Sequence, residues 1–272
     1  QAIIADCMRR IAGIELLETV PIMPSPEQWH YRVRAEWRHD PRAEVLGYLR
    51  HGSHDVVDIL DDPFVLPPLQ AVYSDLRTRM SEGTLPESAV EIRGAAGDDG
   101  VSLAPPLDGQ ALERVTLDVA GETYAFDAEC FFQVNLGVLD LLVDEALKFA
   151  PQPGDVLSPA TRKAIDLYCG VGLFTLPLAR RFEQVVGVEA QPRAAEFAQQ
   201  NAIDAGLENI RIETLPVERW LVDAYRTHGR VPFVLLDPPR TGLPAPALRG
   251  LLRMRPQRIA YVSCDPATLA RD

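Results

Sequence analysis

Four segments of this sequence hold side chains able to do chemistry. In Tyr261-Val-Ser-Cys264-Asp-Pro266 the thiol of Cys264 follows a run that reads as a strand and precedes one that reads as a helix. A cysteine at such a junction is partly exposed and close to a helix start, and both favour the nucleophilic thiolate. The other reading of Cys264 is a small buried hydrophobe. In Leu235-Leu-Asp237-Pro-Pro-Arg240-Thr-Gly242 two prolines follow a carboxylate, fixing φ, removing donors and holding the loop extended. An ordinary strand-ending turn is the alternative there. In Asp166-Leu-Tyr-Cys-Gly-Val-Gly-Leu-Phe174 the glycines Gly170 and Gly172 allow a tight turn and a close ligand approach. Glu189 closes Val186-Gly-Val-Glu189, 23 residues after Asp166.

The last two segments belong together. In nucleotide-binding folds an acidic side chain roughly 20 residues beyond the strand that feeds a glycine turn meets ribose hydroxyls. A dinucleotide would use the same acid, but the loop reads Gly-Val-Gly-Leu-Phe and lacks the third glycine that seats a pyrophosphate on a helix N-terminus. S-adenosylmethionine has no phosphate, so the spacing points to that cofactor ahead of a nicotinamide dinucleotide. A thiol beside a methyl donor suits one chemical problem. Uracil C5 is too weak a nucleophile to attack a methyl sulfonium, and a thiolate added to C6 converts C4–C5 into an enolate that can. A base must then remove the C5 proton so that the thiol leaves. This is covalent catalysis, in which one hard step becomes two easier ones.

The elements that must position these groups follow from periodicity. Strands are expected at Ala164–Leu167, Gln184–Val188, Ile210–Glu213, Phe233–Leu236 and Arg258–Val262, with helices between them. That alternation predicts an α/β fold with a doubly wound, mostly parallel sheet, whose ligands sit at the C-terminal strand ends. A helix over about Leu136–Phe149 leads into it through a Pro151-Gln-Pro-Gly154 connector. Earlier residues read as a smaller α+β domain. It has alternating strands from Tyr31 to Ile59, a helix from about Leu69 to Met80, and strands at Ala89–Arg93, Arg114–Val119 and Thr123–Phe126. A short helix, Ala2–Ile14, stops near Gly13, and Pro21–Pro26 connects. The expected division is thus residues 1–26, a central domain 27–127, and a cofactor-binding domain 128–272.

Composition narrows the classes further. The chain has 272 residues, of which 47% are hydrophobic and 24% charged, as in soluble globular proteins. No long uncharged apolar run is present to span a membrane. Cys7, Cys130, Cys169 and Cys264 are far apart, so neither a zinc site nor a disulfide framework is signalled, and a reducing, cytoplasmic setting is expected. Cys169 reads as packing. The net charge of −12 opposes nucleic-acid binding on average. Locally, Arg32, Arg34, Arg38, Arg42 and Arg50 cluster between His30 and His54, and form either a solvated strand face or an RNA-facing surface.

Taken in order, Phe131-Phe-Gln-Val-Asn135, Asp166-Leu-Tyr-Cys-Gly-Val-Gly172, Asp237-Pro-Pro-Arg-Thr-Gly-Leu243 and Val262-Ser-Cys-Asp-Pro-Ala-Thr-Leu-Ala-Arg-Asp272 resemble the bacterial RNA 5-methyluridine (uracil-C5) methyltransferases. The last segment is long and specific, and reads more like the 23S rRNA members than the tRNA members. The resemblance implies a class I methyltransferase fold, with S-adenosylmethionine held by Gln133, Tyr168, Gly170, Gly172, Glu189 and Asp237, and Cys264 as nucleophile. Gln133 read by itself could equally be a helix-start residue bonding backbone groups. The implied partner is structured RNA, rRNA ahead of tRNA, with Tyr31–Asp62 as the RNA-contacting region. The target base is expected to be flipped out of its stack to reach the thiol. A monomer is expected, with no metal.

Three departures from the family pattern qualify this. Many members hold an iron–sulfur cluster on four cysteines, the last in a Cys-Pro. Here Asp62 stands before Pro63 instead, which argues against a cluster. The family's acidic or amide residue after the third strand is replaced by Thr214-Leu-Pro-Val217, with Glu218 a weak substitute. The family's glutamate base would lie beyond Asp272, and an N-terminal RNA-binding barrel before Gln1, so the chain reads as cut at both ends and short of its general base. Two competing readings stay open: methylation of an exocyclic amino group, which needs no cysteine, and a non-catalytic RNA-binding or assembly factor.

Overall fold

A computed structural model describes residues 1–107, 113–151, 162–229 and 231–272. Of the expected connector Pro151–Gly154, residues 152–154 lie outside the described residues. The chain forms two compact units, Ser25–Asp140 and Gln1–Pro24 with Leu141–Asp272. In this division one unit ends at Asp140, and the first 24 residues group with the later one.

In the unit Ser25–Asp140, strands β1 (Arg34–Asp40), β2 (Val45–Leu49), β3 (Val56–Asp58), β4 (Glu91–Gly97) and β5 (Gly100–Ala104) form an antiparallel sheet ordered β3-β2-β1-β4-β5. Strand β5 is absent from the sequence expectation, and β4 runs four residues past the expected Arg93. Helix α2 (Pro67–Ser81) buries Leu69, Val72, Tyr73 and Leu76 in a core with Trp37, Leu46 and Ile92, the apolar faces of helix and sheet. Strands β6 (Val115–Val119) and β7 (Glu122–Phe126) form a hairpin. Its two-residue turn, Ala120-Gly121, has positive φ at both positions, which matches the strand twist.

In the other unit, α1 (Ala2–Cys7) continues as one π turn over Met8–Ala12 and ends at left-handed Gly13. Helix α3 (Leu139–Ala146) begins in the unit Ser25–Asp140, after its 3-10 turn at Leu136–Val138, runs across the boundary and stops short of the expected Phe149. Strands β8 (Lys163–Leu167), β9 (Gln184–Glu189), β10 (Ile210–Thr214), β11 (Phe233–Leu236) and β12 (Arg258–Tyr261) are all parallel and ordered β10-β9-β8-β11-β12. Helices α4 (Thr175–Ala179), α5 (Pro192–Asp204), α6 (Val217–His228), α7 (Ala245–Met254) and α8 (Pro266–Arg271) connect or follow them. All four residues of β11 are buried, the unbroken apolar run of a strand covered on both faces. The doubly wound sheet expected from the sequence is therefore present, and its order reverses between β8 and β11, where such folds bind ligands. Among the described residues no helix is long and apolar enough to cross a membrane.

Candidate functional site

Four chemical groups stand at the C-terminal edge of the parallel sheet because parallel strands end together. Leu167 of β8 pairs with Val188 of β9 and with Leu236 of β11, and Leu236 pairs with Tyr261 of β12. One step past those pairs come Tyr168, Glu189 and Asp237, and Cys264 lies three residues beyond Tyr261. With neighbouring strands about 4.8 Å apart, the glycine turn after β8 and the loop after β12 start about 10 Å from each other.

The glycine turn is shaped by positive φ at three alternate positions, Tyr168 at 63°, Gly170 at 56° and Gly172 at 99°. A side chain at Gly170 would meet nothing within 4 Å, leaving open space over the turn. One at Gly172 would meet Leu176 Cδ1 at 3.0 Å and Ala198 at 3.7 Å. Gly172→Ala is therefore expected to cost about 1–3 kcal/mol, and Gly170→Ala only the backbone strain of about 1 kcal/mol. Urea unfolding of the two variants compares them directly, and equal losses would contradict the packing role of Gly172.

Glu189 is half-buried and held by two backbone donors. Gly170 N–H donates to Oε2 at 2.9 Å and Gln191 N–H to Oε1 at 2.7 Å. Each oxygen keeps a lone pair, so the fixed carboxylate can still accept two hydroxyls. Below the turn Asp166 is fully buried and accepts from the Thr175 hydroxyl at 2.6 Å. Cys169 is buried too, and burial, with Asp166 and Glu189 beside it, pushes its thiol well above the ordinary range. It is neutral packing, as its place in the loop suggested.

Tyr168 extends toward α6 and α7, where a cleft of about 670 Å³ is lined by Glu218, Thr241, Arg271 and Asp272 as well. Its buried hydroxyl has no hydrogen-bond partner, and burial, then the charges of Glu218, Asp272 and Glu189, push it up to about 12. Glu218, in the first turn of α6, thus stands near Tyr168. Asp272 ties this wall together. It accepts from Leu243 N–H at 2.6 Å and the Tyr261 hydroxyl at 2.7 Å, and so joins the loop after Asp237 to β12 and α8. Sequence reasoning assigned no role to Asp272 or Thr175, although a lone hydroxyl inside apolar Thr175-Leu-Pro-Leu-Ala179 is a signal.

Cys264 is exposed, and its loop is fixed from behind. Asp265 caps α8 by accepting from Ala267 and Thr268 N–H, both at 2.9 Å, and these bonds lower its carboxyl below the usual range. The Ser263 hydroxyl donates to the Asp265 carbonyl at 2.9 Å. The edge thus combines a reachable thiol, a fixed carboxylate at Glu189 and further acids beside it. Among the described residues no three His, Cys, Asp or Glu side chains form a group that could hold a metal ion.

Gln133 belongs to the other unit, half-buried on the loop between β7 and the 3-10 turn. That loop is pinned by Val33 N–H donating to the Val134 carbonyl at 2.9 Å and by a bridge between Arg32 and Asn135. The arginine cluster in this unit is mixed. Arg38 pairs with Glu36 and Glu91, and Arg34 bonds the Ala128 carbonyl at 3.2 Å and lies 5.6 Å from the Phe131 ring. Arg42 and Arg50 are exposed.

Comparison with known proteins gives three findings. The family model described as tRNA (Uracil-5-)-methyltransferase matches residues 107–272. Two curated relatives carry the name 23S rRNA (uracil(1939)-C(5))-methyltransferase RlmD. The one from Enterobacter sp. (strain 638) is 32% identical, over 91% of this chain and 64% of the relative, and the one from Pseudomonas entomophila (strain L48) is 31% identical, over 100% and 67%. The chain therefore spans about two thirds of the length of these relatives. In fold it is similar to the Pyrococcus abyssi tRNA (uracil-54, C5)-methyltransferase solved with S-adenosyl-L-homocysteine, at a TM-score of 0.72 and 20% identity, over 100% of this chain and 74% of that one.

Proposed function

The chain belongs to the tRNA (uracil-5-)-methyltransferase family, and from that premise we propose that it transfers a methyl group from S-adenosylmethionine to C5 of a uridine in structured RNA, through a bond between Cys264 and C6. The observation that carries this reading is the exposed thiol at the same sheet edge as the glycine turn and Asp237. Ribosomal RNA stands ahead of transfer RNA, because both curated relatives are named as 23S rRNA enzymes.

The residues fit the methyl donor on two counts. Space is open over Gly170, and Glu189 is half-buried beside it with both oxygens fixed. When bound, S-adenosylmethionine supplies the methyl group from a positively charged sulfur. Glu189 accepts the two ribose hydroxyls, Gly170 and Gly172 let the ligand lie against the backbone, and Tyr168 and Asp237 border it. Gln133 is assigned to the same task by family resemblance. Cys264 Sγ adds to C6 of the flipped base, C5 takes the methyl group, a base takes the C5 proton, and the C6–S bond breaks. The antiparallel unit is the RNA-contacting part, with Arg42 and Arg50 as phosphate contacts.

The test is a methyl-transfer assay with 23S rRNA and tRNA transcripts, read by mass spectrometry as methyl on uridine, either released as 5-methyluridine or held on Cys264 as the methylated adduct. Methyl on the ribosomal transcript is expected, and methyl on neither transcript would sink the reading. Glu189→Ala is expected to weaken S-adenosylmethionine binding by about 1–3 kcal/mol, since it strips a charged acceptor from two hydroxyls. Unchanged affinity by calorimetry would exclude Glu189 from the pocket.

A further inference from the structure

One buried acid at this edge has no part in that chemistry. Asp166 has no exposed surface, and only one of its oxygens is satisfied: Thr175 of α4 donates to Oδ2 at 2.6 Å, while Oδ1 has no hydrogen-bond partner. The charged groups acting on it are both acids, Asp237 at the end of β11 and Glu189 at the end of β9. Cys169 of the glycine turn, also beside it, is a neutral thiol. A carboxylate in this place would be desolvated, half-unpaired and repelled from two sides. Burial above all, then Asp237 and Glu189, push its carboxyl up to about 8 against the lowering effect of Thr175. Burial and the neighbouring carboxylates thus favour its neutral form.

We propose that Asp166 is a positioning residue that couples cofactor occupancy to a proton, neutral while the edge is empty and ionised when the cationic methyl donor lies over the Gly170–Gly172 turn. This rests on the methyl-donor reading above. S-adenosylmethionine carries a sulfonium and an ammonium against one carboxylate, a net charge of +1. Placed at the point where the sheet order reverses, it compensates the carboxylates that now repel an Asp166 anion. The neutral acid gives its proton to solvent, and the new anion, held by the Thr175 hydroxyl, attracts the donor through a poorly screened interior. The charge balance is cation plus protonated acid giving an ion pair plus one free proton.

The sign follows. Binding that releases a proton strengthens as pH rises, so below about pH 8 affinity should rise by up to tenfold per pH unit, and level off above. Calorimetry at pH 7 in phosphate and in Tris, which differ in ionisation enthalpy, counts the protons. About one proton is expected to be released per S-adenosylmethionine bound, and fewer with S-adenosylhomocysteine, which lacks the sulfonium charge. Asp166→Asn should release close to none and bind with flat affinity between pH 6 and 8. Thr175→Val removes the donor that favours the anion, and should move the rise in affinity to higher pH. Equal proton release in Asp166→Asn and the natural protein, or an unmoved midpoint in Thr175→Val, overturns the proposal. If Asp166→Asn does not fold, the Thr175→Val midpoint decides. Failure of the natural protein to bind either ligand would instead defeat the methyl-donor reading.

Discussion

Cys264→Ala is expected to lower methyl transfer by about 10⁴-fold or more while leaving the protein folded. The two halves of that statement have separate causes. Cys264 is exposed, so trimming it to alanine removes no packing and should change stability by less than about 0.5 kcal/mol. Its loop is held by neighbours rather than by the thiol, through the Asp265 cap and the Ser263 hydroxyl. The loss is therefore chemical, since without sulfur at C6 no enolate forms and C5 stays a poor nucleophile. RNA carrying 5-fluorouridine gives the complementary readout. Fluorine does not leave C5 as a proton does, so the bond between Cys264 and C6 should persist as an adduct that survives denaturing electrophoresis. Full activity in Cys264→Ser would point instead to amino-group methylation, and an adduct formed by Cys264→Ala would show that another residue is the nucleophile.

The parallel sheet was readable in the sequence for a physical reason. Strands such as Phe233-Val-Leu-Leu236 are covered on both faces, and their apolar runs end at the turn residues that carry the chemistry. The antiparallel unit was harder. Strand β4 continues through Gly94-Ala-Ala-Gly97, residues with little strand preference, because β1 on one side and β5 on the other supply its hydrogen bonds. Strand β5 itself is five residues long and forms only as the return arm of the Gly97-Asp-Asp-Gly100 turn. Long-range pairing, not local pattern, decides both. The same holds at the site. Residue type and spacing suggested Glu189 and Asp237, whereas the contact between Asp166 and Thr175, or between Asp272 and the residues Tyr261 and Leu243, exists only once the strands are aligned. The arginine run misleads in the same way, because its charge is partly neutralised by Glu36 and Glu91, the latter 53 residues from Arg38.

Asp62 makes the strongest case for function-like residues with structural work, and Asp62→Ala is expected to destabilise the antiparallel unit by about 3–5 kcal/mol. In sequence it stands as Asp62-Pro63, an exposed-looking acid before a turn residue that reads as a candidate for function. In the fold it is fully buried and its carboxylate gathers three donors from three parts of the unit. Trp37 Nε1–H of β1 and the Tyr48 hydroxyl of β2 donate to Oδ2 at 3.0 and 2.6 Å, and Phe64 N–H donates to Oδ1 at 3.3 Å. Its own N–H donates to Gln70 of α2 at 2.9 Å, which alanine would keep. Burial first, and then the Asp62 carboxylate, hold the Tyr48 phenol well above its ordinary range, so it stays a donor throughout neutral pH. Alanine would leave a buried indole N–H and a largely buried hydroxyl without an acceptor, and each such group costs about 1–3 kcal/mol on top of the lost charged bonds. Cysteine, a weak acceptor, should recover little of this. Urea unfolding followed by near-ultraviolet circular dichroism reads the effect at Trp37 and Tyr48. A loss below about 1 kcal/mol would mean that the unit closes around some other contact, and that the aspartate is there for a reason its three donors do not explain.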